Sequence, residues 1–260
     1  MKFNGKVKIL DKKNIQEDVF QILVERPIEI IDIKPGQFFN IVASKTGFPL
    51  LRRPISVSGF DSQSIEFTIK ILGVGTHAMS EVKIGEWIEM MGPLGNGFNQ
   101  NDEEKILMIG GGIGIAPIKS LIENWKTDQT DIDVILGYRD NPFLVEEFEK
   151  YSGKIEVVSE RNPHYRKGYV TQPFLEKIDS KKYDMVYACG PEVMLKTLSK
   201  ICNEKNIPIQ LLMEEKMACG VGACLVCTCK TKKGEFGFKH VRMCTEGPMF
   251  YGSEVIFDED

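Results

Sequence analysis

KILMIGGGIGIAPIKSLIENWK, residues 105–126, reads in order as a strand, a glycine turn and a helix. KILMIGG is an apolar run of buried-strand length, and APIKSLIENWK carries its apolar residues at helical spacing. GGGIGIAP (110–117) joins the two. It is not the G-x-G-x-x-G fingerprint, because Ile115 stands where the last glycine belongs. The context still suits a nucleotide: glycines let the backbone come close, and a helix N-terminus favours a diphosphate. A turn made only for tight contact uses the same residues.

Downstream the alternation continues. DIDVILGYR, KIEVVSE, YDMVYACG and IPIQLLME read as strands, and PFLVEEFEKY, TQPFLEKI and PEVMLKTLSKICNEKN as helices. Strands alternating with helices predict right-handed crossovers and a doubly wound parallel sheet over 101–213. Such sheets bind ligands beyond the carboxyl ends of their strands. Upstream the rhythm differs. FQILVE (20–25), QFFNIVA (37–43), ISVSGF (55–60), SIEFTIKIL (64–72) and EWIEMMG (86–92) are short runs rich in branched and aromatic residues. They predict an antiparallel barrel, closed or nearly so, over 1–100. Residues 214–260 have weak periodicity and many glycines, and read as loops wrapped around something. The fold class is thus β barrel plus α/β with a small C-terminal region.

Composition narrows the function. The chain has 260 residues, a length that suits two domains and an appendage. Its formal net charge of -4 argues against a broad phosphate-neutralising face, and so against nucleic acid as partner. MKFNGKVKIL is too polar for a signal peptide, and no apolar run reaches membrane-spanning length. A cytoplasmic protein is expected, where clustered cysteines bind metal or do redox chemistry rather than form disulfides.

The cysteines cluster in MACGVGACLVCTCK (217–230). Cys219, Cys224 and Cys227 follow C-x4-C-x2-C, and Cys244 comes later, which is the plant-type 2Fe–2S spacing. Gly220, Val221, Gly222 and Ala223 are mostly small, so the backbone can curl and aim N–H groups at sulfur. Zinc also takes four cysteines, but structural zinc uses C-x2–4-C pairs on two knuckles. Cys229 competes with Cys227 as a ligand; the x2 spacing favours Cys227. Cys202 reads as a core thiol. LRRPISV (51–57) puts two arginines before a proline at a strand opening, and an arginine fork suits a diphosphate. Solvated arginines at a barrel edge are the plainer reading. CGPEVM (189–194) ends a strand on the same crevice as the glycine turn.

RRPIS, GVGTHAMS (73–80), GPLGNGF (92–98), GGGIGIAP and CGPEVM, in that order, resemble the ferredoxin–NADP reductase superfamily over roughly 1–213. With the cysteine loop added, the chain resembles the electron-transfer subunits of class 1B dihydroorotate dehydrogenases. The resemblance implies an FAD site at Arg53, Pro54, Ile55 and Ser56. Lys70, Ile71 and Leu72 on the next strand would line the flavin, and Gly75 and Thr76 would close over its diphosphate. It implies a nicotinamide nucleotide at Gly111, Gly112 and Gly114, flanked by Cys189, Gly190 and Pro191, and a 2Fe–2S cluster on Cys219, Cys224, Cys227 and Cys244. No catalytic acid or base is implied, and His77, His164 and His240 get no catalytic part.

The implied activity is passage of electrons to NAD from an FMN-containing catalytic subunit that oxidises dihydroorotate in pyrimidine biosynthesis, within a heterotetramer. ERNPHYRKGYV (160–170) sets Glu160 beside Arg161, with Arg166 and Lys167 near; acidic residues favour NAD and arginine NADP, so the residues leave both open and the resemblance implies NAD. Val221, Leu225, Met249 and Phe250 are candidate docking residues around the cysteines. Two other classes stand beside this one. One is a flavin and iron–sulfur subunit of another complex, such as an NADP–ferredoxin transhydrogenase or a sulfide or hydrogenase system. The other is a zinc-stabilised interaction module without flavin.

Overall fold

The structure is a computed structural model, described over residues 2–42, 47–125, 129–152, 154–234 and 237–257. Ala43 and Lys126, the expected ends of one strand and one helix, lie outside the described residues.

The first sheet has seven antiparallel strands. They are β1 (Phe3–Gln16), β2 (Val19–Glu25), β3 (Phe38–Ile41), β4 (Arg53–Ser56), β5 (Gly59–Phe60), β6 (Ser64–Lys70) and β7 (Trp87–Leu94), with helix α1 (Val74–Ser80) between the last two. The spatial order is β4-β3-β7-β1-β2-β6-β5. β1 had no counterpart among the expected strands. Its lysine-rich sequence masks an alternation in which Val7 and Ile9 point inward and Lys6 and Lys8 outward. ISVSGF, expected as one strand, is two strands at opposite edges of the sheet. Val57 and Ser58 turn the corner: Val57 N–H donates to Gln37 O (3.0 Å) and Ser58 N–H to Glu66 O (2.9 Å). The sheet is therefore a curled half-barrel, with its edges joined by chain rather than by a ladder. Phe39 and Phe67 meet edge to face at 5.6 Å inside it.

The second sheet is built from β8 (Lys105–Gly111), β9 (Asp131–Tyr138), β10 (Ile155–Ser159), β11 (Arg166–Lys167), β12 (Met185–Cys189) and β13 (Ile209–Leu212). The helices are α2 (Ile115–Glu123), α3 (Val145–Glu149), α4 (Thr171–Ser180) and α5 (Glu192–Lys205). β8 to β13 all run in parallel, in the order β11-β10-β9-β8-β12-β13. Helices cover both faces. Ile115, Ile118 and Leu121 of α2 pack with Met108 and Val134 on one side; Phe174, Leu195 and Leu198 pack with Ile109 and Val186 on the other. Burial on both faces is why these strands are near-continuous apolar runs. The strand order reverses between β8 and β12, the place where such sheets open a crevice.

The C-terminal segment is not loops alone. β14 (Thr228–Lys233), β15 (Gly237–Arg242) and β17 (Val255–Ile256) form a three-stranded sheet in the order β15-β14-β17. β16 (Met249–Tyr251) instead joins the second sheet, antiparallel to β13. Its apolar residues cover that edge, and the cysteine region is thereby fastened to the α/β part.

Candidate functional site

A cavity of about 210 Å3 opens where the three parts meet. One wall is β4 and β6 of the half-barrel. The second is Ile113, Ala116 and Pro117 at the start of α2. The third is the stretch after β13, with Met213, Glu214 and Met217. Of the nine barrel residues expected at a flavin, Arg53, Pro54, Ile55, Ser56, Lys70, Leu72 and Thr76 line this cavity. Ile71 does not: Lys70 belongs to the strand and Ile71 lies just past its end, packed against the barrel core. Gly75 sits under Arg53 instead of facing the cavity. A Cβ there would stand 2.4 Å from Arg53 Nε, so glycine lets the guanidinium lie flat on the first turn of α1. Thr76 Oγ1 accepts from Leu72 N–H (2.9 Å) and Gly73 N–H (3.3 Å), which fixes the turn leading into that helix.

The two arginines part where the chain enters β4. Arg52 pairs with Glu89 away from the cavity, while Arg53 faces it and spends one N–H on Leu51 O (2.5 Å). Apolar walls with a cation at one end fit a flat ring joined to a diphosphate. Charge-assisted hydrogen bonds are worth about 1.5–3 kcal/mol. Arg53→Met is therefore expected to weaken FAD retention roughly 10- to 100-fold. Arg52→Met should leave it nearly unchanged; flavin remaining after ultrafiltration measures both.

The two loops at the strand reversal touch one another. A Cβ on Gly114 would lie 2.6 Å from Cys189 C, Cys189 O and Gly190 N. One on Gly111 would lie 2.7 Å from Met194 Sδ and 3.0 Å from Pro191 Cδ. Close contact between loops thus accounts for both glycines. Gly112 differs: its φ is +55° and nothing lies within 4 Å of its Cβ position, so its backbone faces open space. Gly190 (φ +159°) backs onto Gly111, and Pro191 precedes α5. Cys189 is 1% exposed, and burial pushes its thiol well above the ordinary range. Its place is in the core beneath the crevice. Glu214, at the carboxyl end of β13, went unread in the sequence. It lines the cavity, reached by water yet crowded by protein, and burial raises its carboxyl above the usual range. Its signal was a lone acid pair ending an apolar strand.

Beyond Glu214 lie the cysteines. Cys219 Sγ accepts from Val221 N–H (3.5 Å) and Cys224 N–H (3.4 Å). Burial opposes ionisation there, but these donors prevail and bring the thiol down to about 6. Gly220 (φ +70°) and Gly222 (φ +82°) make the curl. Cys227 and Cys244 are buried free thiols in hydrogen-bond contact; burial, then Cys227, pushes Cys244 up to about 11. Among the described residues no three His, Cys, Asp or Glu side chains stand at metal-binding spacing. The loop nevertheless fits an iron–sulfur cluster: left-handed glycines and inward N–H groups are what thiolate sulfurs need. Cys229 packs against the α/β core, raised to about 11 by burial and then by Glu215. Cys202 is a core thiol, raised to about 12 by burial. Of the expected docking residues, Val221 and Leu225 are exposed, and Val226 joins them. Met249 and Phe250 are buried on β16 and cannot dock anything. His77 lies 4.0 Å from Glu81, and His240 packs edge-on to Phe238.

Family models match all three parts. The oxidoreductase FAD-binding domain matches residues 6–98 and the oxidoreductase NAD-binding domain 108–200. The iron–sulfur cluster binding domain of dihydroorotate dehydrogenase B matches 214–256. The dihydroorotate dehydrogenase B (NAD(+)) electron transfer subunit of Clostridium acetobutylicum is 38% identical over 253 residues, covering 97% of each chain. That of Clostridium perfringens is 39% identical, covering 98% of each. The chain belongs to the dihydroorotate dehydrogenase B electron transfer subunit family. It is an oxidoreductase subunit with FAD-, NAD- and iron–sulfur-binding domains. Among solved structures, an NADH-dependent reduced ferredoxin-NADP oxidoreductase studied for flavin-based electron bifurcation aligns with a TM-score of 0.84 at 30% identity. It covers 96% of this chain and 89% of that one. A ferredoxin NADP+ reductase from Neisseria gonorrhoeae, at 22% identity and a TM-score of 0.61, shares the fold, covering 77% of this chain and 91% of that one.

Proposed function

We propose that this chain takes electrons from an FMN-containing, dihydroorotate-oxidising partner subunit and delivers them to NAD in pyrimidine biosynthesis, in a cytoplasmic heterotetramer. The observation that carries the proposal is one cavity lined by the barrel wall, by Ile113, Ala116 and Pro117 at and just after the glycine turn, and by Met217 and Met243 of the cysteine region. When bound, a flavin trades hydride for single electrons and an iron–sulfur cluster passes one electron at a time. Dihydroorotate gives up two electrons and two protons to become orotate; NAD takes two electrons and one proton, and one proton is released. The chain's own residues bind and orient. Arg53, Ser56, Lys70 and Thr76 would hold FAD, the 111–114 turn and 189–191 loop the nucleotide, and Cys219, Cys224, Cys227 and Cys244 the cluster. No described helix is long and apolar enough to cross a membrane.

NAD is preferred over NADP on the same grounds. Arg166 is held by both carboxylate oxygens of Glu176 and by Glu156, and Arg161 pairs with Asp140 at 3.4 Å. Both arginines near the end of β10 are thus engaged by carboxylates of this chain, and a 2′-phosphate would meet those carboxylates. NADH is expected to exceed NADPH in kcat/KM for flavin reduction by about tenfold or more, the worth of roughly one unpaired charge. Equal rates would overturn the preference.

The 30% identity to a bifurcating ferredoxin–NADP oxidoreductase favours a second reading, in which the chain serves such a complex. Anaerobic isolation of the native complex, followed by assay of dihydroorotate-driven NAD reduction, decides between them. Activity that disappears when the flavin partner is removed supports the first. Ferredoxin-driven reduction without any response to dihydroorotate supports the second.

A further inference from the structure

Lys119, midway along α2, is 4% exposed. A lysine is seldom buried this far without partners. Its Nζ donates to Glu66 Oε1 (3.1 Å) and Ser58 O (3.3 Å) on the half-barrel, and pairs with Glu123 Oε1 (2.8 Å) one turn along its own helix. Burial works against the ammonium, but Glu66 and Glu123 outweigh it and hold Lys119 charged. Glu66 Oε1 is held in turn by Ser58 Oγ (2.9 Å) and Gln21 Nε2 (3.3 Å). Gly59 makes room for the crossing: a Cβ there would sit 3.1 Å from Glu123 Oε2 and 3.3 Å from Lys119 Nζ.

The two elements joined by this ammonium supply facing walls of one cavity. Ala116 and Pro117 line it from the first turn of α2, directly after the 112–114 turn. Thr68 and Lys70 line it from β6, two and four residues beyond Glu66 and so on the same side of the strand. Thr68 Oγ1 donates to Ser58 Oγ (3.0 Å), which continues the same network to the cavity wall.

We propose that Lys119 is a positioning residue that sets the nicotinamide turn at its working distance from the flavin wall. The proposal rests on the reading of this cavity as the flavin and nicotinamide site. The test uses the full chain with FAD bound. Lys119→Met is expected to slow flavin bleaching by NADH roughly 10- to 100-fold, the cost of a misplacement near 1 Å. Amide hydrogen exchange over 112–117 should quicken. Flavin content, and reoxidation of photoreduced flavin by a one-electron dye, should stay as in the wild type, because neither needs the second wall. Lys119→Arg should restore most of the rate. The double variant Lys119→Met/Glu123→Gln removes much of the charge imbalance; it should keep the nucleotide defect and so remains informative if the single variant folds poorly. A lowered Tm with unchanged NADH kinetics and unchanged exchange in either variant would make the cluster a stabilising contact only and overturn the proposal. If NADH fails to bleach even the wild type, the functional reading falls, while the exchange measurement still judges the clamp.

Discussion

Replacing Cys227 or Cys244 by alanine is expected to abolish dihydroorotate-driven NAD reduction while leaving NADH-driven bleaching of the flavin close to normal. The expectation follows from where the thiols sit. Cys227 and Cys244 are buried against each other at the base of the 217–227 loop, and Met243 N–H donates to Cys227 O (2.8 Å). Losing either removes one of the four expected ligands, and Cys229, whose thiol burial raises to about 11, is not expected to replace it. Met217 and Met243 line the flavin cavity from this region, but the barrel wall and the nicotinamide loops are separate elements, so the half-reaction with NADH is expected to persist. Metal–ligand energy is also folding energy, so the C-terminal sheet should lose order along with the metal. Iron and sulfide per chain, together with the low-temperature electron paramagnetic resonance of the reduced protein, check this. Cys229→Ala is the control and should retain both. Iron lost from Cys229→Ala but kept in Cys227→Ala would transfer the ligand role, and zinc in place of iron and sulfide would favour the interaction-module class.

Gly114→Ala should do nearly as much harm by a different route. Its new Cβ would meet three backbone atoms at 2.6 Å, and backbone cannot swing aside as a side-chain tip does. The β8 and β12 loops must part. Overpacking of this kind costs about 1–3 kcal/mol, which in a chain of this length is roughly 3–10 °C in Tm. The parted loops should also misplace the nucleotide and slow flavin reduction by NADH. Gly112→Ala is the contrast. It meets no atom, and its penalty is the left-handed backbone, about 1–2 kcal/mol. Thermal melts and stopped-flow reduction separate the two variants, and an unchanged Tm for Gly114→Ala would refute the close-contact account.

These glycines show where reading the residues stops short. All three of 111, 112 and 114 look alike in the string GGGIGIAP, yet two are small for the sake of neighbouring backbone or side chains and one for its own torsion. Arg52 and Arg53 are equally alike in sequence. The chain entering β4 sends Arg52 to Glu89, and the strand's first residue, Arg53, faces the cavity. Met249 and Phe250 look like surface residues beside the cysteines until β16 is seen to close the edge of a distant sheet.

By itself the sequence determined everything that local spacing encodes. The alternation of strand and helix after residue 104, the glycine turn at its first crossover, and the C-x4-C-x2-C run are all contained within short stretches, because period and ligand spacing are local geometry. Tertiary structure alone decided the rest. It decided which side of each strand faces the cavity, that the half-barrel closes through Val57 and Ser58, and that Lys119 meets acceptors 61 and 53 residues away at Ser58 and Glu66. Those partners are chosen by which segments share a buried boundary. A lysine, a serine carbonyl and a glutamate carry no sign of one another until the loss of water makes each need the others.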